Sequence, residues 1–282
     1  MVKLSIYTKS KTLIINQLKQ YADLNFLDDK SVDTDTPDIY FHSGKIDKSI
    51  VSIITRSKIV IVNSKSAKAE IVKKIEVNEN KIHVIYPAIK KSDINVKEAR
   101  KEFCEELKIH KKTRIIFFTA RTLKTNGVKE LFNIILGLNN NNYKLIIASD
   151  KEQITTLKFQ ITKYKLDDKI IFYEDFENMD LLYAVCDIFV LPTYVKNFSI
   201  NILKAMSLKT AVFVSSTNSA RELVDIFATM EIPTDPNTSF KIDALLRQKD
   251  DLKLIKKSNY KVAKDFYVEK QIQRLLSILN IT

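Results

Sequence analysis

Short apolar runs alternate with amphipathic ones along all 282 residues of the chain. Residues 4–7 (LSIY), 38–41 (DIYF), 59–62 (IVIV), 83–86 (HVIY), 114–120 (RIIFFTA), 143–149 (YKLIIAS), 169–173 (KIIFY), 187–192 (DIFVLP) and 210–215 (TAVFVS) are rich in branched and aromatic side chains. Each is only a few residues long and predicts a buried strand. Between them, Val128, Leu131, Ile134, Ile135 and Leu138 recur at helical spacing, as do Ile154, Leu157, Ile161 and Tyr164. Alternation of this kind predicts an α/β protein of parallel sheets with helices on both faces. The number of strands is high for a single sheet and points to two Rossmann-like units.

The boundary between units is expected at YPAIKKSD, residues 86–93, where Pro87 ends a strand and a basic, polar segment leads into a helix starting near Val96. The first unit then spans residues 1–90 and is very small. The second spans 91–265. The remaining residues, 266–282, read as an amphipathic helix with Val268, Ile272, Leu275, Leu276 and Leu279 on one face.

Composition narrows the function. Hydrophobic content of 45% and charged content of 28% are those of a soluble globular protein. No apolar run reaches the roughly 18 residues of a membrane span, and Lys and Ser interrupt the N-terminus too often for a signal peptide. Cytoplasmic residence is the expectation. Cys104 falls in a helical run and Cys186 just before a strand; without metal-ligand spacing, both read as buried, unreactive thiols. The net charge is +12, and between Tyr40 and Ile115 18 Lys and Arg stand against 9 Asp and Glu. That excess suits an anionic lipid surface or a phosphorylated ligand, and equally a solvated face. No zinc knuckle, RNP-like aromatic set or basic helix supports a nucleic-acid partner. Only three glycines are present, Gly44, Gly127 and Gly137, so no glycine-rich phosphate loop can form.

Five segments in order carry a resemblance: SKIVIVNSKSAKAEI (57–71), KIHVIYPAI (81–89), FFTARTLKTNGVKELF (117–132), DIFVLPTYVKNFSINILKAM (187–206) and the final FYVEKQIQRLL. Together they resemble the retaining glycosyltransferases of family 4 (group 1), which have the GT-B fold. That resemblance implies two Rossmann-like domains facing a cleft, here with a reduced first, acceptor-side domain. It implies a nucleotide-sugar donor held by the second domain and a last helix that packs back toward the first. Arg121, between a strand and a helix, would clamp the donor diphosphate, where a guanidinium can also stabilise leaving-group charge, or else form a surface salt bridge. The family's lysine five residues on is Asn126 here, with Lys124 as a possible substitute. The helix starting near Phe198 would aim free backbone amides at the same edge, with Asn197, Ser199 and Asn201 around its start. Asn197 or Ser199 could equally be a helix cap.

The family's two donor-site glutamates are replaced by Lys196 and Lys204. A carboxylate accepts hydrogen bonds from sugar hydroxyls, whereas an ammonium only donates. Three readings stay open: an altered donor mode with these lysines on phosphate or an acidic sugar, a non-catalytic relative, or lysines lying in solvent. Glu222 matches a family glutamate near the nucleotide, and equally a first-turn glutamate complementing a helix dipole. His42, at the end of a predicted strand, matches a family histidine that faces the donor sugar, and equally a surface-loop histidine. The resemblance therefore implies transfer of a sugar from a nucleotide-diphosphate donor to a glycan or lipid-linked acceptor in cell-surface polysaccharide synthesis. It implies no metal and no cofactor beyond the donor, with an anionic membrane surface at the inner face as a further partner. The alternative is a non-catalytic binding or scaffold protein that partners an active transferase.

Overall fold

The computed structural model describes residues 2–281. The chain divides into two compact units. One is made by the stretch up to Lys90 together with the stretch from Asp265 onward; the other is Lys91–Lys264.

The first unit is a five-stranded parallel sheet of β1 (Val2–Thr8), β2 (Ala22–Phe26), β3 (Ile39–Phe41), β4 (Ile59–Val62) and β5 (Ile82–Val84), in the order β2-β1-β3-β4-β5. Strand alternation divides its side chains between two cores. Ile6, Ile39, Phe41 and Ile61 pack on one face with Ile14, Ile15 and Leu18. Tyr7, Tyr40, Val60 and Val62 pack on the other with Ile50, Ile53, Ile54 and Ile71. The first of these cores is completed from the far end of the sequence. Val268, Ile272, Leu275 and Leu276 of the helix Val268–Leu279 lie in it, and Leu275 is fully buried. A two-bond parallel bridge sets that helix: Ile89 N–H donates to the Phe266 carbonyl at 3.0 Å, and Val268 N–H to the Ile89 carbonyl at 3.0 Å.

The second unit is a six-stranded parallel sheet of β6 (Arg114–Thr119), β7 (Tyr143–Ser149), β8 (Ile170–Glu174), β9 (Ile188–Leu191), β10 (Ala211–Ser215) and β11 (Thr229–Met230), ordered β11-β10-β9-β6-β7-β8. Every residue of β9 and β10 is buried, as a parallel sheet covered on both faces requires. Two strands differ from the sequence expectation by being additional. β2 buries only Ala22 and exposes Asp23, Asn25 and Phe26, so as an edge strand it has no apolar run to read. β11 is two residues long. The helix that Glu222 would open is a 3-10 turn, Ser219–Leu223. Both cysteines are free and buried, and burial pushes the Cys186 thiol up to about 12.

One buried carboxylate ties the amino edge of this sheet. Asp187, directly before β9, donates its N–H to the Ile115 carbonyl at 2.7 Å and accepts the Ile115 N–H at 3.0 Å. Lys256 reaches it at 3.1 Å, Arg100 at 3.2 Å and Arg114 at 3.7 Å. Arg100 also donates to the carbonyls of Val185 and Thr113. Burial raises the Asp187 pKa, but Lys256, Arg100, the Ile115 amide and Arg114 outweigh it and hold the carboxyl below its ordinary value. The folded pKa lies below the unfolded one, so its stabilisation is present above about pH 4 and is lost as pH falls through the folded pKa. Asp187→Asn is expected to cost about 3–5 kcal/mol, because three cations are left without their carboxylate. Urea denaturation at neutral pH measures that loss, and the difference from the parent should shrink in acid below pH 4.

Candidate functional site

In the second unit the chain lays down β6, β7 and β8 in one direction, then returns to place β9 on the free side of β6. The strand order therefore reverses between β6 and β9, and the loops leaving their carboxyl ends lead to connections on opposite sides. This is where open parallel sheets bind ligands. The loop after β6 runs over residues 120–127, and the loop after β9 over 192–199.

The two loops touch at their backbones. Gly127 takes a left-handed conformation (φ 85), and a Cβ on it would stand 1.8 Å from the Pro192 carbonyl oxygen. Glycine is required there both by φ and by space. Side-chain amides hold the rest. Asn126 donates to the Thr122 carbonyl at 2.8 Å and accepts the Thr193 hydroxyl at 2.8 Å, so it joins one loop to the other. Gln153, in the first turn of the helix Lys151–Ile161, donates to the Arg121 carbonyl at 3.0 Å and accepts the Leu123 N–H at 2.7 Å. Asn218, 1% exposed, makes four bonds: it donates to the carbonyls of Val195 (2.9 Å) and Asn197 (2.7 Å) and accepts the N–H of Ser199 (3.1 Å) and Ala220 (3.0 Å). Ser219 adds its N–H and hydroxyl to the Lys196 carbonyl, each at 2.9 Å.

Against this frame the candidate residues take distinct positions. Arg121 is exposed, and its guanidinium has no ion-pair or hydrogen-bond partner among the described residues; the same holds for the ammonium groups of Lys124 and Lys196. Asn126 is engaged between the loops as described. Phe198 is half-buried against the core of the unit. Ser199 is the residue before the helix Ile200–Ser207, but its hydroxyl makes no capping bond, and its N–H goes to Asn218. Capping by Asn197 or Ser199 is therefore not how this helix starts: Asn197 is exposed and contributes its carbonyl to Asn218. The N–H groups of Ile200 and Asn201 have no acceptor among the described residues. The side chain of Asn201 donates to the Thr119 carbonyl at 3.3 Å, which seats this open helix start beside the end of β6. Lys204, in the second turn, lies 3.9 Å from Asp180, in an exposed pair of little energetic weight. Glu222 is half-buried in the 3-10 turn that follows β10.

In the first unit the corresponding reversal of strand order occurs between β1 and β3. His42 directly follows β3 there, and the hydroxyls of Ser10 and Ser43 join the two loops at 3.2 Å. His42 is buried (7% exposed), not a surface-loop residue. Its N–H donates to the Ile61 carbonyl at 2.8 Å, and its Nδ1 lies 3.0 Å from the Tyr40 hydroxyl. Burial lowers its pKa, against the opposing charge of Glu70, and so favours the neutral imidazole.

Asn218 and Gln153 were not singled out in the sequence. Each is one carboxamide among many, and only the fold brings its partners to it. Among the described residues no cluster of three or more His, Cys, Asp or Glu side chains could hold a metal ion.

The family profile "Glycosyl transferases group 1" matches residues 99–262. An uncharacterized glycosyltransferase of Methanocaldococcus jannaschii is 28% identical in an alignment over 171 residues that covers 58% of this chain and 44% of that protein. The N,N'-diacetylbacillosaminyl-diphospho-undecaprenol alpha-1,3-N-acetylgalactosaminyltransferase of Campylobacter jejuni is 30% identical in an alignment over 178 residues, with coverage again 58% of this chain and 44% of that protein. The chain thus spans under half the length of these curated relatives. Among solved structures, Anabaena HepE in complex with UDP superposes with a TM-score of 0.78 at 15% identity, covering 99% of this chain and 100% of that one. WaaG, a glycosyltransferase involved in lipopolysaccharide biosynthesis, gives 0.72 at 14% identity, covering 98% and 85%. These likenesses show the fold: two units, each built on a parallel sheet, of the GT-B class.

Asn218→Ala is expected to destabilise the protein by about 2 kcal/mol or more, since it leaves buried amide and carbonyl groups without partners. A shift of the urea midpoint at unchanged slope measures this. An unshifted midpoint would show that the 193–199 loop is held by other means.

Proposed function

The chain belongs to the group 1 glycosyl transferases, and from that premise we propose that it transfers a sugar from a nucleotide-diphosphate donor to a glycan or lipid-linked acceptor in cell-surface polysaccharide synthesis. One observation carries the proposal. The unpartnered guanidinium of Arg121 and the uncapped start of the helix Ile200–Ser207 occupy the same carboxyl edge, at the point where strand order reverses.

In this reading the donor diphosphate lies on that edge. Arg121 takes two of its oxygens bidentately, and the free amides of Ile200 and Asn201 meet it with the positive end of the helix dipole. As the bond from sugar to phosphate breaks, negative charge grows on the departing nucleoside diphosphate. Fixed donors already aimed at those oxygens stabilise that charge without reorganising. Lys124 and Lys196, exposed and unpaired, add long-range attraction for the polyanion. Asn126 acts one step removed, by setting the spacing of the loops. Phe198, Asn197, Ser199 and Glu222 serve the sugar and nucleoside end, and the catalytic role falls to His42 as a neutral imidazole, with retention of configuration. These cationic and amide groups meet the diphosphate charge without a metal ion. The UDP in the solved HepE complex favours a uridine donor for the first assays. The acceptor is assigned to the first unit and the inner membrane face, since the acceptor side of the family reading falls there.

A second reading has its own support. The two positions that would carry donor-site carboxylates are Lys196 and Lys204, and Lys204 rests against Asp180. A binding protein that partners an active transferase would have this character.

Two measurements test these readings. UDP or a UDP-sugar at about 100 times its dissociation constant should stabilise the chain by about 2.7 kcal/mol. Arg121→Ala should weaken that binding by about 1.5–3 kcal/mol in calorimetric titration, the loss expected for a charged contact. Normal folding with no response to any nucleotide favours the binding-protein reading, and unchanged affinity in the variant removes Arg121 from the site. The double variant Lys196→Glu/Lys204→Glu separates the rest: sugar transfer that rises marks a decayed donor site, and transfer that falls marks lysines adapted to the donor.

A further inference from the structure

The opposite, amino edge of the second unit's sheet carries a cavity of about 440 Å³. Strands of this length put it roughly 15–20 Å from the donor edge. Its wall holds Arg114, Lys209, Lys249, Lys253, Lys256 and Lys257, against a single carboxylate, Asp187. The four of these that lie on the helix Lys249–Ala263 follow helical spacing and share one face, around the buried Leu252.

Asp187 cannot balance this charge, because it brings one negative charge against six cations and its oxygens already have partners. They accept Arg100, Lys256 and the Ile115 N–H. Two of the cations have capacity left. Arg114 gives its Nε to the Leu246 carbonyl at 3.3 Å, but its Nη1 stands 3.7 Å from Asp187, beyond hydrogen-bond distance. Lys256 has one acceptor for three N–H bonds. Both side chains are only 22–23% exposed, so water meets those donors poorly. Lys209, Lys249, Lys253 and Lys257 have no carboxylate within ion-pair distance among the described residues. The rest of the wall is apolar: Val96, Leu252 and the ring of Tyr260, over which Lys209 Nζ sits at 5.1 Å.

We infer that this cavity is a second anion site, separate from the donor edge, which takes a phosphate or diphosphate group carried on an apolar or ring-bearing body. Arg114 and Lys256 supply the buried donors, and Lys249, Lys253 and Lys257 form the rim that attracts the charge. Tyr260 and Leu252 pack against the body that carries it. Such a group could arrive on a phospholipid or on a soluble phosphate ester, and the recognition chemistry is the same.

The test uses the full chain with Arg121→Ala, which weakens the donor edge, and inorganic pyrophosphate as the probe in calorimetric titration. Pyrophosphate should still bind, more weakly as salt rises. Adding Lys253→Glu and Lys257→Glu, both at exposed positions, should weaken it by about tenfold or more. Absence of pyrophosphate binding in the Arg121→Ala chain, or binding untouched by the two rim substitutions, overturns the inference. Sedimentation with phosphatidylcholine vesicles that do or do not contain phosphatidic acid identifies the source. Capture by phosphatidic acid that pyrophosphate releases supports a lipid headgroup in the cavity; no capture, with pyrophosphate bound, supports a soluble ester. Capture that pyrophosphate cannot release makes the lysines a flat membrane-facing surface, and the cavity is then not the site.

Discussion

The carbonyl of Pro192 comes so close to Gly127 that no side chain fits between them, and the arrangement of the donor edge follows from that contact. It fixes how near the loop after β6 comes to the loop after β9. Arg121 rides on the first loop and the start of the helix Ile200–Ser207 on the second, so their spacing is set by backbone rather than by flexible side chains. Phosphate-binding loops usually gain their close approaches from several glycines. This chain has three in all, and it builds the same rigidity from carboxamides. Asn126, Gln153, Asn201 and Asn218 each present a planar group with donors and an acceptor, which can bracket two strands of backbone at once.

How much of this could be read from sequence depends on whether a feature is local. β6, β7, β9 and β10 are apolar runs buried on both faces, and they stand where the runs stand. Arg121 follows one of them, so its place at a sheet edge was legible too. β2 was not, because an edge strand with Asp23 and Asn25 facing water has no apolar run. Strand order is not written in any one segment; that β9 lies beside β6 depends on pairing between residues more than 70 positions apart, such as Ile116 with Ile188. Asn218 was invisible for the same reason. Its partners at 195, 197 and 199 are brought to it by a turn that gives no sign in composition.

Charge shows the difference between linear and spatial neighbourhoods. The basic excess between Tyr40 and Ile115 spans both units, since Lys45–Lys90 belong to the first and Lys91–Arg114 to the second. It is therefore not one surface defined by sequence position. The cations that do gather, Arg114 with Lys209 and the 249–257 helix face, come from three distant segments. Asp187 draws Arg100, Arg114 and Lys256 to the amino edge, and one carboxylate cannot neutralise three cations. The same residue that anchors the sheet thus leaves a surplus of positive charge beside it.

The discontinuity of the first unit has a consequence for biosynthesis. Its sheet is encoded before the second unit, but one face of that sheet is sealed by Val268–Leu279, encoded after it. The second unit is continuous and finishes earlier. A ribosome therefore releases a complete second unit before a complete first, and Ile6, Ile39 and Ile61 lack part of their cover until Val268–Leu279 has emerged.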